Sequence, residues 1–240
     1  MIVNHKFYVG LRDINSNLEL TNTGILACLE DVACMHSEIA GFGLFNRDKT
    51  KKTWLLLNWK IEVIKRPLYN DVITVQTWSR GMDRYYAYRD FKVLDKDNNI
   101  IIKGTSKWIF VDIDKRKPVK ILDEVGEAYF PENISILEDN SMNKIIPPND
   151  IISSINYKIT KNMIDINNHL HNIYYMDIAK ETIPENLALK NEFNKFEIMY
   201  KNEIKFGENV KAIYSKDENE HYVAIKSEDE NTIHAILKFY

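Results

Sequence analysis

The chain has 240 residues, 45% hydrophobic and 28% charged, with a formal net charge of −3. That is enough to bury one large core or two small ones, so two domains of roughly 120 residues are expected. The balanced charge argues against a nucleic-acid binder, and no apolar run approaches the roughly 20 residues that span a bilayer.

Met1-Ile2-Val3-Asn4-His5-Lys6 runs directly into an alternating stretch, His5 to Arg12, which reads as a strand and lacks the pattern of a signal or transit segment. A helix is predicted from Asn22 to Ala40, with Ile25, Cys28, Leu29, Val32, Met35, His36 and Ile39 on its apolar face and Gly41 and Gly43 after it. Cys28 and Cys34 fall six apart within that pattern and face different sides of the helix. This argues against a disulfide framework and for a reducing, cytoplasmic location. Four strands follow, Thr53 to Lys65, Asp71 to Arg80, Arg84 to Leu94 and Asn99 to Asp114. Short polar connections such as Asp95 to Asn98 favour antiparallel pairing.

From Leu122 to Asp150 the pattern gives way to polar residues with Pro131, Pro147 and Pro148, as expected of a linker. The order then repeats. Ser154 to Thr160 reads as a strand, and a helix is expected directly after Leu170, with Tyr175, Ile178, Ala179 and Thr182 inward and Pro184 as its stop. Strands cover Phe193 to Lys205, Asn209 to Ser215, Glu220 to Ser227 and Thr232 to Tyr240. The expected division is a first domain over 1–121, a linker over 122–150 and a second domain over 151–240.

Residues repeat as well as elements. Asp13-Ile14-Asn15-Ser16-Asn17-Leu18 matches Asp165-Ile166-Asn167-Asn168-His169-Leu170 at an offset of 152 (13 to 165). Tyr69-Asn70-Asp71-Val72 answers Gly207-Glu208-Asn209-Val210, and Asp97-Asn98-Asn99 answers Asp229-Glu230-Asn231. On this alignment Asn17 stands where the second copy has His169. An amide does not exchange protons near neutral pH, so the chemistry is expected in the second half and the first half is expected to keep shape.

Asp165, Asn167 and His169 place a carboxylate, an amide and an imidazole two residues apart. Such a set can activate water and donate to an oxyanion, with Asp165 orienting water or attacking as a carboxylate, Asn167 donating its NH2 and His169 moving the proton. Backbone N–H groups at the start of the next helix would add to it. Asp and Asn near a helix start are also ordinary caps, and the hexapeptide alone leaves that reading open. A metal held by Asp165, His169 and His171 is disfavoured, because side chains two apart at a helix start diverge.

Taken in order, Trp54-Leu55-Leu56-Leu57-Asn58-Trp59, Arg66-Pro67-Leu68-Tyr69-Asn70-Asp71-Val72, Thr77-Trp78, Arg89-Asp90-Phe91 and Gly104-Thr105-Ser106-Lys107-Trp108 resemble segments of the acyl-acyl carrier protein thioesterases. In the second half Asp165-Ile166-Asn167-Asn168-His169 looks like that family's D-x-N-x-H motif, and Tyr200-Lys201-Asn202-Glu203 like the strand that carries its active-site glutamate. The resemblance implies an α+β tandem, or double, hotdog, each half a long helix wrapped by an antiparallel sheet, the first half lining an acyl pocket. It implies hydrolysis of fatty acyl groups from acyl carrier protein without cofactor or metal, with Asp165, Asn167, His169 and Glu203 as site residues and Glu203 fixing the His169 ring.

Two positions depart from the pattern. Ile204 stands where many plant members carry a cysteine after the glutamate, so an acyl-cysteine route is not expected; His171 stands where Asn is common. The acidic carrier makes Lys51-Lys52, Lys65-Arg66 and Lys115-Arg116-Lys117 candidate docking charges. An acyl-coenzyme A thioesterase of the same fold is the alternative, followed by a non-catalytic acyl-binding module. Pairing into a homodimer stays open.

Overall fold

The computed structural model describes residues 1–188 and 193–240. The chain is α+β and divides into two compact units, Met1–Met142 and Asn143–Tyr240.

The first unit opens with β1 (Val3–Tyr8) and a 3-10 turn at Leu11–Asp13, then α1 (Asn22–Ile39). Thr21 caps α1, its Oγ1 accepting from the Gly24 N–H at 3.1 Å, and Gly41 follows in the left-handed region at φ 81°. After a short α2 (Arg47–Thr50) come β2 (Lys52–Val63), β3 (Val72–Met82), β4 (Tyr86–Leu94) and β5 (Ile100–Asp112). A two-residue β6 (Lys117–Pro118) pairs with β5, and α3 (Asp123–Ala128) follows. The strand order is β1-β3-β4-β5-β2, antiparallel throughout.

Helix α1 lies on β1 and β3. Ile25, Leu26, Leu29, Val32, Ala33 and His36 are buried from it. Each large aliphatic side chain removed from water here contributes about 2 kcal/mol, which is why the helix docks through this stripe. Met35 and Ile39, expected inward, are exposed, Ile39 at 60%. His36, also expected inward, fills the last inward turn, and Met35 and Ile39 lie beside that stripe on a helix about to end.

The second unit is a shorter version of the first. It consists of β7 (Ile151–Lys158), a 3-10 turn at Lys161–Met163, α4 (Tyr174–Thr182), α5 (Glu185–Ala188), β8 (Lys195–Tyr200), β9 (Asn209–Asp217), β10 (Glu220–Ser227) and β11 (Ile233–Phe239). Its order, β7-β9-β10-β11-β8, repeats that of the first unit strand for strand. Helix α4 packs on β7, β9, β10 and β11 and buries Tyr175, Met176, Ile178, Ala179 and Thr182.

Two expectations in this unit are corrected. The helix starts at Tyr174 and not directly after Leu170, because His171 to Ile173 form a turn in which the Tyr174 N–H bonds the His171 carbonyl at 3.0 Å. The strand expected through Glu203 stops at Tyr200. Beyond it the N–H groups of Lys201 and Asn202 both turn to the His234 carbonyl, at 2.8 and 3.2 Å. Glu203 therefore projects from a connection.

The backbone also corrects the repeat. Asn15 N–H to Glu19 O (2.9 Å), Leu18 N–H to Asn15 O (3.0 Å) and Leu20 N–H to Pro67 O (2.9 Å) reappear in the second unit. There they are Asp165 N–H to His169 O (2.8 Å), Asn168 N–H to Asp165 O (3.1 Å) and Leu170 N–H to Ile204 O (2.7 Å). Leu18 and Asn168 share φ 64°. The structural offset here is 150 residues (15 to 165), so the counterpart of His169 is Glu19, and Asn17 answers Asn167.

Candidate active site

Between β7 and α4 the chain makes a tight loop that closes on itself, with an isolated bridge between Ile164 and Leu170 at its neck. Asp165 is the clamp. Its Oδ1 accepts from the backbone N–H of Asn167 at 2.8 Å and of His169 at 3.1 Å, and its Oδ2 accepts from Nδ2 of Asn167 at 3.0 Å. A short acidic side chain does this readily, because it reaches its own backbone two residues on. Asn168 supplies the left-handed residue that the turn requires, which Asn tolerates better than most. Asp165 thus caps the loop, and the local helix-cap reading does not hold, since α4 begins nine residues later with no side-chain cap.

The opposite wall is the segment after β8. His169 bridges to Lys205, and Leu170 donates to Ile204. These two backbone contacts fix where Glu203 lies, and its Oε2 sits 3.2 Å from Nε2 of His169. The imidazole is 22% exposed and the carboxylate 41%, so the pair is reachable from solvent while its strength is moderated by water. Among the described residues Nδ1 of His169 carries no bond, which leaves one ring nitrogen held and the other available.

Tyr175, in the first turn of α4, is 3% exposed and packs edge-on against Tyr200 at 5.2 Å. Burial, then the negative charges of Glu203 and Asp165, pushes its phenol well above the ordinary range, so it stays protonated beside the two carboxylates. Its place at the site is not legible in the sequence, where it is one more inward helical residue. His171 lies outside the loop, its backbone N–H bonded to the Met163 carbonyl at 2.9 Å.

The first unit builds the same loop with different chemistry. Oδ1 of Asn15 accepts from the N–H of Asn17 at 2.9 Å and of Glu19 at 3.0 Å, and Glu19 bridges to Leu68 as His169 does to Lys205. The position matching Glu203 is Arg66, whose guanidinium turns inward to the Leu20 carbonyl and Oδ1 of Asn22, both at 2.9 Å. A carboxylate and an arginine thus replace an imidazole and a carboxylate.

Comparison with known proteins bears on both units. Residues 2–129 match the family model described as the acyl-ACP thioesterase N-terminal domain, and residues 149–238 that of the acyl-ACP thioesterase C-terminal domain. The chain belongs to the acyl-ACP thioesterase family. Among curated family members, oleoyl-acyl carrier protein thioesterase 2 of Arabidopsis thaliana, a chloroplastic protein, is 27% identical over 219 residues. That alignment covers 82% of this chain and 58% of the relative, so the chain spans well under two thirds of that protein's length. An acyl-ACP thioesterase structure from Bacteroides thetaiotaomicron superposes at a TM-score of 0.87 with 25% identity, covering 99% of this chain and 96% of the other. The 12:0-ACP thioesterase of Umbellularia californica shares the fold at a TM-score of 0.87 and 17% identity, with 99% and 96% covered.

Proposed function

We propose that this chain hydrolyses fatty acyl-acyl carrier protein thioesters to free fatty acid and carrier protein, and that the loop of the second unit carries the cleavage. The observation that supports it most is the contact of 3.2 Å between His169 and Glu203, beside a clamped Asp165–Asn167 pair, in a chain of this family. We read the two units as tandem hotdogs, the second cleaving and the first holding acyl chain against α1; their matching strand order supports this.

The Glu203 carboxylate, 3.2 Å from Nε2 of His169, favours the proton on that nitrogen, which leaves Nδ1 as the base. Water attacks the thioester carbonyl as Nδ1 takes its proton. The carbonyl oxygen becomes an oxyanion and receives the second N–H of the Asn167 amide, the first being committed to Asp165. Collapse expels the pantetheine sulfur, which leaves with the proton from the imidazolium, and the acid is released. Asp165, with both oxygens engaged by three donors, acts here as a positioning residue that aims Asn167 and holds the backbone under His169. Neither cysteine lies in this unit, which fits a direct attack by water.

The carrier's acidic surface would meet the basic runs of the first unit. Of these, Lys52 is already held by Asp112 at 2.5 Å, and Lys115 lies 4.0 Å from the same carboxylate, so the local charge is partly cancelled.

The test is mass spectrometry of the acids released from a mixed pool of acyl-acyl carrier proteins, run in parallel with acyl-coenzyme A of the same lengths. Release from the carrier protein at the greater kcat/KM, weakened by salt, is expected. Release from coenzyme A alone would transfer the reading to an acyl-coenzyme A thioesterase, and release from neither would remove it.

A further inference from the structure

The first unit holds a polar cluster beneath α1 that hydrolysis does not use. Arg89 of β4 is 6% exposed, and its Nη1 meets Nδ1 of His36 at 2.9 Å and Oγ1 of Thr77 at 3.2 Å. A guanidinium only donates, so Nδ1 accepts and the neutral ring carries its proton on Nε2. Burial, then the Arg89 charge, pushes His36 down to about 3, which keeps that ring uncharged at neutral pH. Its Nε2 is buried with no hydrogen-bond partner among the described residues. The Tyr129 carbonyl favours a proton on the ring but does not reach bonding geometry at Nε2. Oγ of Ser79 is likewise buried and unpartnered, and Ser79 faces Arg89 directly across the β3–β4 register. The two side chains therefore share a sheet face.

No carboxylate balances Arg89 among the described residues. Asp90 is the nearest in sequence, but it faces the other side of β4, where Arg80 Nε (3.1 Å), Thr105 Oγ1 (2.7 Å) and the Ile136 N–H (2.9 Å) occupy it. The Tyr129 ring, 5.8 Å from the guanidinium carbon, gives only a cation–π contact. Among the described residues, Nη1 is the one guanidinium nitrogen of Arg89 with a hydrogen-bond partner. A buried cation without an anion is costly, and beyond the two neutral acceptors on Nη1, His36 Nδ1 and Thr77 Oγ1, its surroundings offer donors.

We propose that Arg89, His36 Nε2–H and Ser79 Oγ–H form a polar subsite for an oxygen acceptor carried on an aliphatic chain, a carboxylate above all. This rests on the acyl-thioester reading and narrows it. The same chemistry is met by a released fatty acid held by its carboxylate or by an acyl substrate bearing a second carboxylate at its far end.

The direct test follows the His36 ring nitrogens by 15N NMR in the whole protein during titration with dodecanoate and, separately, with methyl dodecanoate. Dodecanoate should shift Nε2 and bind at least tenfold more tightly than the ester. Ser79→Ala should narrow that ratio at least threefold. Equal affinity for acid and ester, or a silent Nε2, overturns the proposal and leaves the cluster as internal scaffolding. Two kinetic arms separate the sources. Product retention predicts inhibition of wild-type hydrolysis by dodecanoate that Ser79→Ala relieves, whereas substrate recognition predicts a preference for ω-carboxyl acyl thioesters that Ser79→Ala abolishes. The NMR shift needs no turnover, so it reports on the subsite even if plain acyl-acyl carrier protein is not hydrolysed.

Discussion

Replacing Asp165 by Asn or by Ala separates holding the loop from chemistry, because the first unit already carries the Asn version. Asn15 makes both backbone bonds that Asp165 makes, at 2.9 and 3.0 Å, and its loop has the same path. Asp165→Asn should therefore keep two of the three bonds and cost about 1 kcal/mol. That is a fall in Tm of roughly 2–4 °C for a chain of this size. Asp165→Ala loses all three bonds, at 2.8, 3.0 and 3.1 Å, and should cost about 3 kcal/mol or roughly 6–12 °C. Activity should follow a different order. In Asp165→Asn the new amide cannot accept from Nδ2 of Asn167 if its oxygen stays on the backbone, so Asn167 turns and presents its oxygen to the developing oxyanion. Loss of one such donor lowers kcat by about 10²–10³-fold. Thermal unfolding and steady-state hydrolysis of acyl-acyl carrier protein read the two effects. A stable Asp165→Asn protein retaining more than a tenth of wild-type kcat would refute the positioning role, and an unfolded one would refute the equivalence of the two loops.

Three further outcomes follow from the same contacts. Glu19→Ala should leave kcat/KM within about twofold of wild type in the same assay, since proton transfer is assigned to the other loop; a loss above tenfold would place chemistry in the first unit. Leu29→Ala, at a fully buried position of α1, should cost about 3–4 kcal/mol by urea unfolding. Stability should also fall in mild acid. His36 is held at about 3 against 6.5 when unfolded, so between these values the unfolded chain binds the proton and the native state does not. Going from pH 7 to 5 should cost about 2 kcal/mol by that route, with His221, also lowered by burial, adding in the same direction. His36→Gln should flatten the slope of urea midpoint against pH, and an unchanged slope would contradict the assignment.

Much of the fold could be read from residues because the signals were local. The aliphatic stripe from Ile25 to Val32 and Gly41 delimit α1 to within a residue, and alternation with turn residues delimits β2 to β5 within two. The shortfalls come from contacts between distant segments. Nothing in Tyr200-Lys201-Asn202-Glu203 announces that His234 will draw the chain out of its strand, and β8 ends five residues before the expected Lys205 for that reason. The repeat slipped by two because shared letters, Asp-Ile-Asn, outweighed the shared backbone. What the two loops preserve is an Asx clamp and a left-handed residue, which Asn15 and Leu18 provide as well as Asp165 and Asn168. Asp165, Asn167 and His169 were visible as a cluster in the sequence. The approach of Glu203 was supplied by resemblance, and the burial of Arg89 against His36 could not be seen: the helical spacing put His36 inward, but an arginine does not signal an interior position.

The central claim is that His169 carries the proton during thioester cleavage. The most direct measurement is the rate of free fatty acid release from acyl-acyl carrier protein by His169→Gln, with folding checked by thermal unfolding. The expected result is a fall of at least 10²-fold in kcat with Tm nearly unchanged. Release within tenfold of wild type from a folded His169→Gln protein would contradict the account.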